Sequence, residues 1–269
     1  MIPLSDADAP AKTAAPVTKA IIGLNLLVFL YELVLGGVGF LFGADGLRLT
    51  IFFLTWGFIP RELTEGIAYE SFVTPGDIDT PIPTWGTLLT SMFIHGGLLH
   101  LAGNMMFLWV FGANLEARLG YVWFLLFYFV TGVLAALCHW VVEPGSPVPL
   151  VGASGAIAGV MGAYLMLYPR NRINSLVIFY FITVIRLSAF WLLGFWFALQ
   201  LFQALLSFGV SSQVSVAFWA HVGGFVAGVG IITIYKLVTG QPVLPTRGPP
   251  SSPSPPSSPS RYWRGRRLD

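Results

Sequence analysis

Three short stretches carry side chains out of keeping with their surroundings. His100 and Asn104 lie in HGGLLHLAGN, Ser154 in VGASGA and His221 in AHVGG, each inside a long apolar run. A polar group held in hydrocarbon costs several kcal/mol unless it is satisfied, so such residues are expected to serve a purpose. A serine hydroxyl becomes a useful nucleophile only when a base takes its proton. His221 is the base candidate for Ser154, and with no acid near it in the sequence the pair would act as a dyad. Attack on a peptide carbonyl creates an oxyanion that needs preorganised donors. The His100 ring N–H, the Asn104 amide and the backbone N–H of Ser154 are the candidates for that role. Gly152 and Gly155 flank the serine and allow a substrate backbone to come close.

These residues must be positioned by membrane helices. Of the 269 residues, 55% are hydrophobic and 10% charged, against about 25% charged in soluble domains. The mean hydropathy is +0.76. A helix crosses a bilayer with about 20 predominantly apolar residues. Six spans are expected, over residues 19–42, 87–117, 122–142, 151–168, 188–208 and 217–238, the fourth short and rich in glycine. The expected fold class is therefore all-α, a polytopic six-helix bundle over residues 17–239. Residues 173–187 are apolar but too few to span, and are read as interfacial or re-entrant. The first connector, residues 43–83, holds an amphipathic stretch and most of the acids.

Charge gives the orientation. With six spans and the N-terminus inside, Lys12, Lys19, Arg118, Arg170, Arg172, Arg186, Lys236, Arg247, Arg261, Arg264, Arg266 and Arg267 fall on the cytoplasmic side. Only Arg48 and Arg61 fall outside, among acids such as Asp45, Glu62, Glu65, Glu70, Asp77, Asp79 and Glu143. Lys/Arg bias in short loops sets topology, so both termini are expected in the cytoplasm. Residues 1–16 read as a polar N-terminal segment without a signal-peptide pattern. Residues 240–269 read as a disordered Pro/Ser-rich basic tail. The single Cys138 excludes an internal disulfide.

Spans two, four and six then all run from outside to inside with their polar groups near the outer end. Ser154 and His221 are each expected about four residues into a helix, roughly 6 Å deep at 1.5 Å per residue. His100 and Asn104, four apart, share a helix face. Gly155, Gly159 and Gly162 on the fourth span, and Gly224 and Gly228 on the sixth, are spaced for close helix contact in lipid. Other polar residues read as structural: His95 at the entrance to the second span, Glu116 and Arg118 as an ion pair or cap, His139 as a packed histidine, and Glu32 bonded to a neighbouring helix. No ligand cluster with metal spacing and no phosphate loop is present, so neither metal nor cofactor nor nucleic-acid partner is expected.

Taken together, HGGLLHLAGNMMFLWVFGANLEARLG, VGASGAIAGVMGAY and AHVGGFVAG resemble the signature blocks of rhomboid intramembrane serine proteases, over residues 85–230. The resemblance implies Ser154 as nucleophile, His221 as general base, and His100, Asn104 and the Ser154 amide as oxyanion hole. It also implies a six-helix bundle cleaving transmembrane protein substrates in the bilayer, with residues 208–216 as a cap over the site. One departure stands out: several family members place an aromatic residue one turn after the serine, against the catalytic histidine, where this chain has Ala158. Trp219 or Phe218 is expected to hold His221 instead. Two other readings compete. A catalytically inactive rhomboid-like protein that binds or escorts membrane clients would usually lack the serine or the histidine, and both are present here. A transporter would carry its polar site at mid-membrane. The short loops point to a bacterial plasma membrane.

Overall fold

The computed structural model describes residues 1–8, 14–42, 46–66, 81–178, 182–207 and 217–243, and the short strands β4 (Tyr262–Trp263) and β5 (Arg266–Arg267). Nine α-helices occur among them: α1 (Pro16–Gly36), α2 (Leu47–Trp56), α3 (Pro60–Glu65), α4 (Thr84–Thr90), α5 (Leu98–Leu119), α6 (Tyr121–Val142), α7 (Ser154–Leu167), α8 (Ala189–Leu206) and α9 (Phe218–Val238). Five of these, α1, α5, α6, α8 and α9, are long and apolar enough to cross a membrane. Their outward faces are covered by large apolar side chains such as Leu27, Val34, Trp109, Trp123, Phe202 and Ile234, as a surface that meets lipid should be.

The expected fourth span, α7, is a helix of 14 residues, about 21 Å long at 1.5 Å per residue. It is the most enclosed element, with every residue from Gly155 to Tyr164 buried. Its glycines explain why. A Cβ on Gly224 or Gly228 of α9 would collide with the carbonyl of Gly155 or Gly159, and one on Gly162 with the carbonyl of Phe225. Helices α7 and α9 thus run parallel with backbone against backbone. On the other side, a Cβ on Gly155 would lie 2.7 Å from the Ala135 Cβ of α6, and Gly159 abuts Thr131. Van der Waals contact and small interfacial residues drive such packing in lipid, where apolar burial gains little.

Buried polar groups tie the helix ends. Helix α1 begins after Ala15, which offers no side-chain cap, and Glu116 of α5 replaces one. Its carboxylate accepts from Val17 N, Thr18 N and Thr18 Oγ1 at 2.7–2.9 Å, satisfying donors that the first helical turn leaves unpaired. At the other end of α1, Glu32 Oε1 accepts from the backbone N–H of His95 at 3.0 Å. Lys236 of α9 donates to the carbonyl of Met166 at 2.6 Å, near the end of α7.

Several expectations are corrected. Residues 87–117 are not one helix: α4, a 3-10 turn (Ser91–Phe93) and an extended stretch precede α5, which begins only at Leu98. Of the ion pair or cap expected of Glu116 and Arg118, the cap is what Glu116 makes, on helix α1, while Arg118 donates to Gln241. Glu32 reaches a loop rather than a helix. The stretch expected to be interfacial or re-entrant contains strands, and the fold is not purely α. Strands β2 (Arg172–Ile178) and β3 (Ile182–Ser188) pair antiparallel, and β1 (Ile2–Asp6) adds antiparallel to β2. The chain's N-terminal residues therefore belong to the bundle. Asp6 accepts from Asn114 of α5, Tyr164 of α7 and Asn171, and Asp8 pairs with Arg172 at 2.6 Å. The guanidinium holds the Asp8 carboxyl down at about 2, so the pair stays ionised near neutral pH. The cap expected over residues 208–216, and most of the tail, lie outside the described residues.

Replacing Gly224 by Val should push α9 away from α7, because the new side chain has only the Gly155 carbonyl to occupy. The melting temperature in detergent should fall, whereas Gly230→Val, at a glycine facing open space, should leave it nearly unchanged. Equal melting of the two variants would mean that the α7–α9 contact does not carry the fold.

Candidate active site

Helices α5, α7 and α9 start at the same end of the bundle, and their first two turns carry the residues singled out from the sequence. Ser154 is the first residue of α7 rather than lying about four residues in, and His221 is the fourth of α9. Both are half-buried. The glycine seam sets their relation: with Gly224 on the Gly155 carbonyl, His221 Nε2 lies 2.8 Å from Ser154 Oγ. At the first position of its helix, the backbone N–H of Ser154 has no intrahelical carbonyl to serve.

The turn before Ser154 depends on Gly152, whose φ of +124° is open only to glycine. Its N–H donates to the Ser91 carbonyl at 2.8 Å, which anchors the turn to the stretch leading into α5. The missing Cβ makes room for a ring: a Cβ here would sit 2.8 Å from His100 Nε2 and 3.6 Å from Ser154 Oγ. His100 Nδ1 accepts from Gly96 N at 3.3 Å, which leaves the ring proton on Nε2, beside the serine. One turn on, Asn104 is buried and its Nδ2 has no protein partner. A donor left free in such a place is costly to the fold and available to a ligand.

His95 stacks edge-on against His100 with ring centroids 5.1 Å apart, consistent with a supporting part at the entrance to α5. His139 of α6 is buried, as a packed histidine would be. A cavity of about 20 Å3, lined by Ser91, Gly132, Gly152, Ser154, Gly155 and Ala220, opens against the serine. That is room for about one water. Among the described residues no three His, Cys, Asp or Glu side chains gather as metal ligands would.

Two partners of His221 were not expected. Its Nδ1 lies 2.7 Å from Gln200 Oε1, and its ring packs on Trp196 with centroids 5.9 Å apart. Both come from α8, whereas the sequence pointed to Trp219 or Phe218 beside the histidine itself. A signal for them existed. Gln200 is a polar residue in an otherwise apolar span, and Trp196 precedes it by one helical turn, on the same face.

Gly152→Ala should be disproportionately harmful for one methyl group. It costs about 1–3 kcal/mol for the left-handed backbone, and it displaces the His100 ring. Stability should fall, and any activity of this site should fall further than stability explains. The comparison is with Gly145→Ala, at a glycine of ordinary φ with open space around it. If Gly152→Ala behaves like Gly145→Ala, the turn does not need its glycine.

Comparison with known proteins gives the family. A model of the rhomboid domain matches residues 83–237. The rhomboid protease GluP of Bacillus subtilis is 41% identical over 88 residues, covering 33% of this chain and 17% of that protein. Rhomboid-like protein 11, chloroplastic, of Arabidopsis thaliana is 41% identical over 78 residues, 29% of this chain and 28% of its own. Presenilin-associated rhomboid-like protein, mitochondrial, of Mus musculus is 30% identical over 148 residues, 54% and 37% of the two chains. The chain spans less than two thirds of the length of each of these relatives. Since the rhomboid model covers more than half of the chain, and with it Ser154, His221, His100, Asn104, Gly152 and Gly155, this multi-pass membrane protein belongs to the rhomboid family.

Proposed function

We propose that the protein is an intramembrane serine endopeptidase that hydrolyses peptide bonds in or near the transmembrane segments of protein substrates. The observation that carries this is the 2.8 Å approach of Ser154 Oγ to His221 Nε2. Ser154 Oγ attacks the scissile carbonyl carbon while His221 Nε2 takes its proton. The negative charge that develops on the carbonyl oxygen is met by the Ser154 backbone N–H, His100 Nε2–H and Asn104 Nδ2. The C–N bond breaks as His221 returns the proton to the departing amine, leaving an ester on Ser154. Water then attacks that ester with His221 again as base, releasing the new carboxyl end and restoring the serine.

The reading includes six spans, with the short α7 as the enclosed sixth, and both termini in the cytoplasm. The Lys/Arg distribution supports that orientation. The site then lies near the outer surface, within reach of substrate segments close to their outer ends. A bacterial plasma membrane fits the short loops.

Ser154→Ala and His221→Ala should each abolish cleavage of a model transmembrane substrate and labelling by a fluorophosphonate probe, with insertion and melting retained. The double variant should be no worse than either single one, because the two act as a unit. Wild-type protein that neither cleaves nor labels would favour a client-binding rhomboid relative without activity.

Asn104→Ala tests the oxyanion assignment separately. It removes a donor that matters mainly once charge has developed, so kcat should fall by about 10²-fold with KM little changed. A rise in KM alone would make Asn104 a substrate-binding or packing residue.

A further inference from the structure

Helix α8 touches the site at one point. Its Trp196 and Gln200 stand one turn apart on one face, and both meet the His221 ring. Resting on the protease reading, we propose that Gln200 is the positioning residue of the base, the part an acid plays in a triad, with Trp196 packing against the ring.

The chemistry follows from the two ring nitrogens. His221 can take the serine proton only with a lone pair on Nε2, so its own proton must sit on Nδ1. The Gln200 Oε1, 2.7 Å away, accepts that proton as a hydrogen bond, fixing the tautomer and the ring's rotation together. An amide does this without bringing a buried charge among apolar neighbours. No carboxylate among the described residues hydrogen-bonds to His221. Ala158 is fully buried and carries no ring that could stack on the histidine, so the Trp196 indole serves that purpose from another helix.

A consequence concerns α8 as a whole. Most of its surface faces outward, and among the described residues this bond is its one side-chain hydrogen bond to another helix. The orientation of the base therefore depends on α8 being seated.

The experiment uses the full-length protein in detergent or proteoliposomes. Gln200→Leu keeps volume but removes the acceptor, and Gln200→Glu keeps an acceptor of the same length. For Gln200→Leu, kcat on a transmembrane substrate and the rate of fluorophosphonate labelling should both fall by about 10–10²-fold, part of what a general base supplies. KM and melting temperature should hold. Gln200→Glu should recover kcat to within a few-fold of wild type. A purely structural glutamine would move melting and KM instead, and Glu would not rescue. A second measurement needs no variant: 15N shifts of the His221 ring should report a protonated Nδ1 and a bare Nε2. The opposite tautomer, or Gln200→Leu with wild-type kcat, overturns the inference while leaving the protease reading standing. Wild-type protein that neither cleaves nor labels overturns both.

Discussion

Everything at the site depends on how closely two backbones approach. In lipid, helices gain little by burying apolar side chains against each other, so contact must come from shape. Helices α7 and α9 meet where Gly224 and Gly228 rest on the carbonyls of Gly155 and Gly159, and Gly162 on that of Phe225. No other residue fits there. The contact sets the register of two parallel helices, and the register places the first residue of one beside the fourth of the other. Ser154 and His221 are thus brought to 2.8 Å by glycines that have no chemistry of their own. Helix α6 completes the seam from a third side, with Ala135 against Gly155, Thr131 against Gly159 and Cys138 against Gly223.

The polar residues divide by what they satisfy. Glu116 and Lys236 spend their hydrogen bonds on helix ends, where unpaired backbone groups would otherwise be stranded away from water, and Asp6 ties strand β1 to the side chains of Asn114, Tyr164 and Asn171. They fasten the end of the bundle remote from Ser154. At the serine's end the balance is reversed. Asn104 keeps a buried amide donor without a protein partner, and the ring proton of His100 is directed past Gly152 instead of into a structural bond. On the proposed reading, these free donors would meet the negative charge that develops on the substrate oxygen.

The site was legible because the membrane makes polar residues conspicuous. His100, Asn104, Ser154 and His221 stand in apolar runs, and the four-residue spacing of glycines on two spans already implied which helices touch. Composition fixed the membrane class, and the matching blocks pointed to the family. Less legible were the boundaries. Nothing in the apolar periodicity of residues 87–117 marks the break before Leu98, which exists because Gly97, at φ +142°, turns the chain.

What only the tertiary structure decided were the pairings between distant parts of the chain. Residues 173–187 read as a membrane-surface segment because strand and helix share the same apolar residues over so short a run. Strands β2 and β3 pair with each other, and β1 extends the sheet from about 170 residues earlier in the chain. Glu116 became a cap for a helix whose own N-terminal residue offers none. Gln200 and Trp196 met His221 because α8 packs beside α9, a neighbour relation that local patterning cannot express. Periodicity and polarity report on a residue's own face and depth. Which second face lies opposite is a property of the assembled bundle.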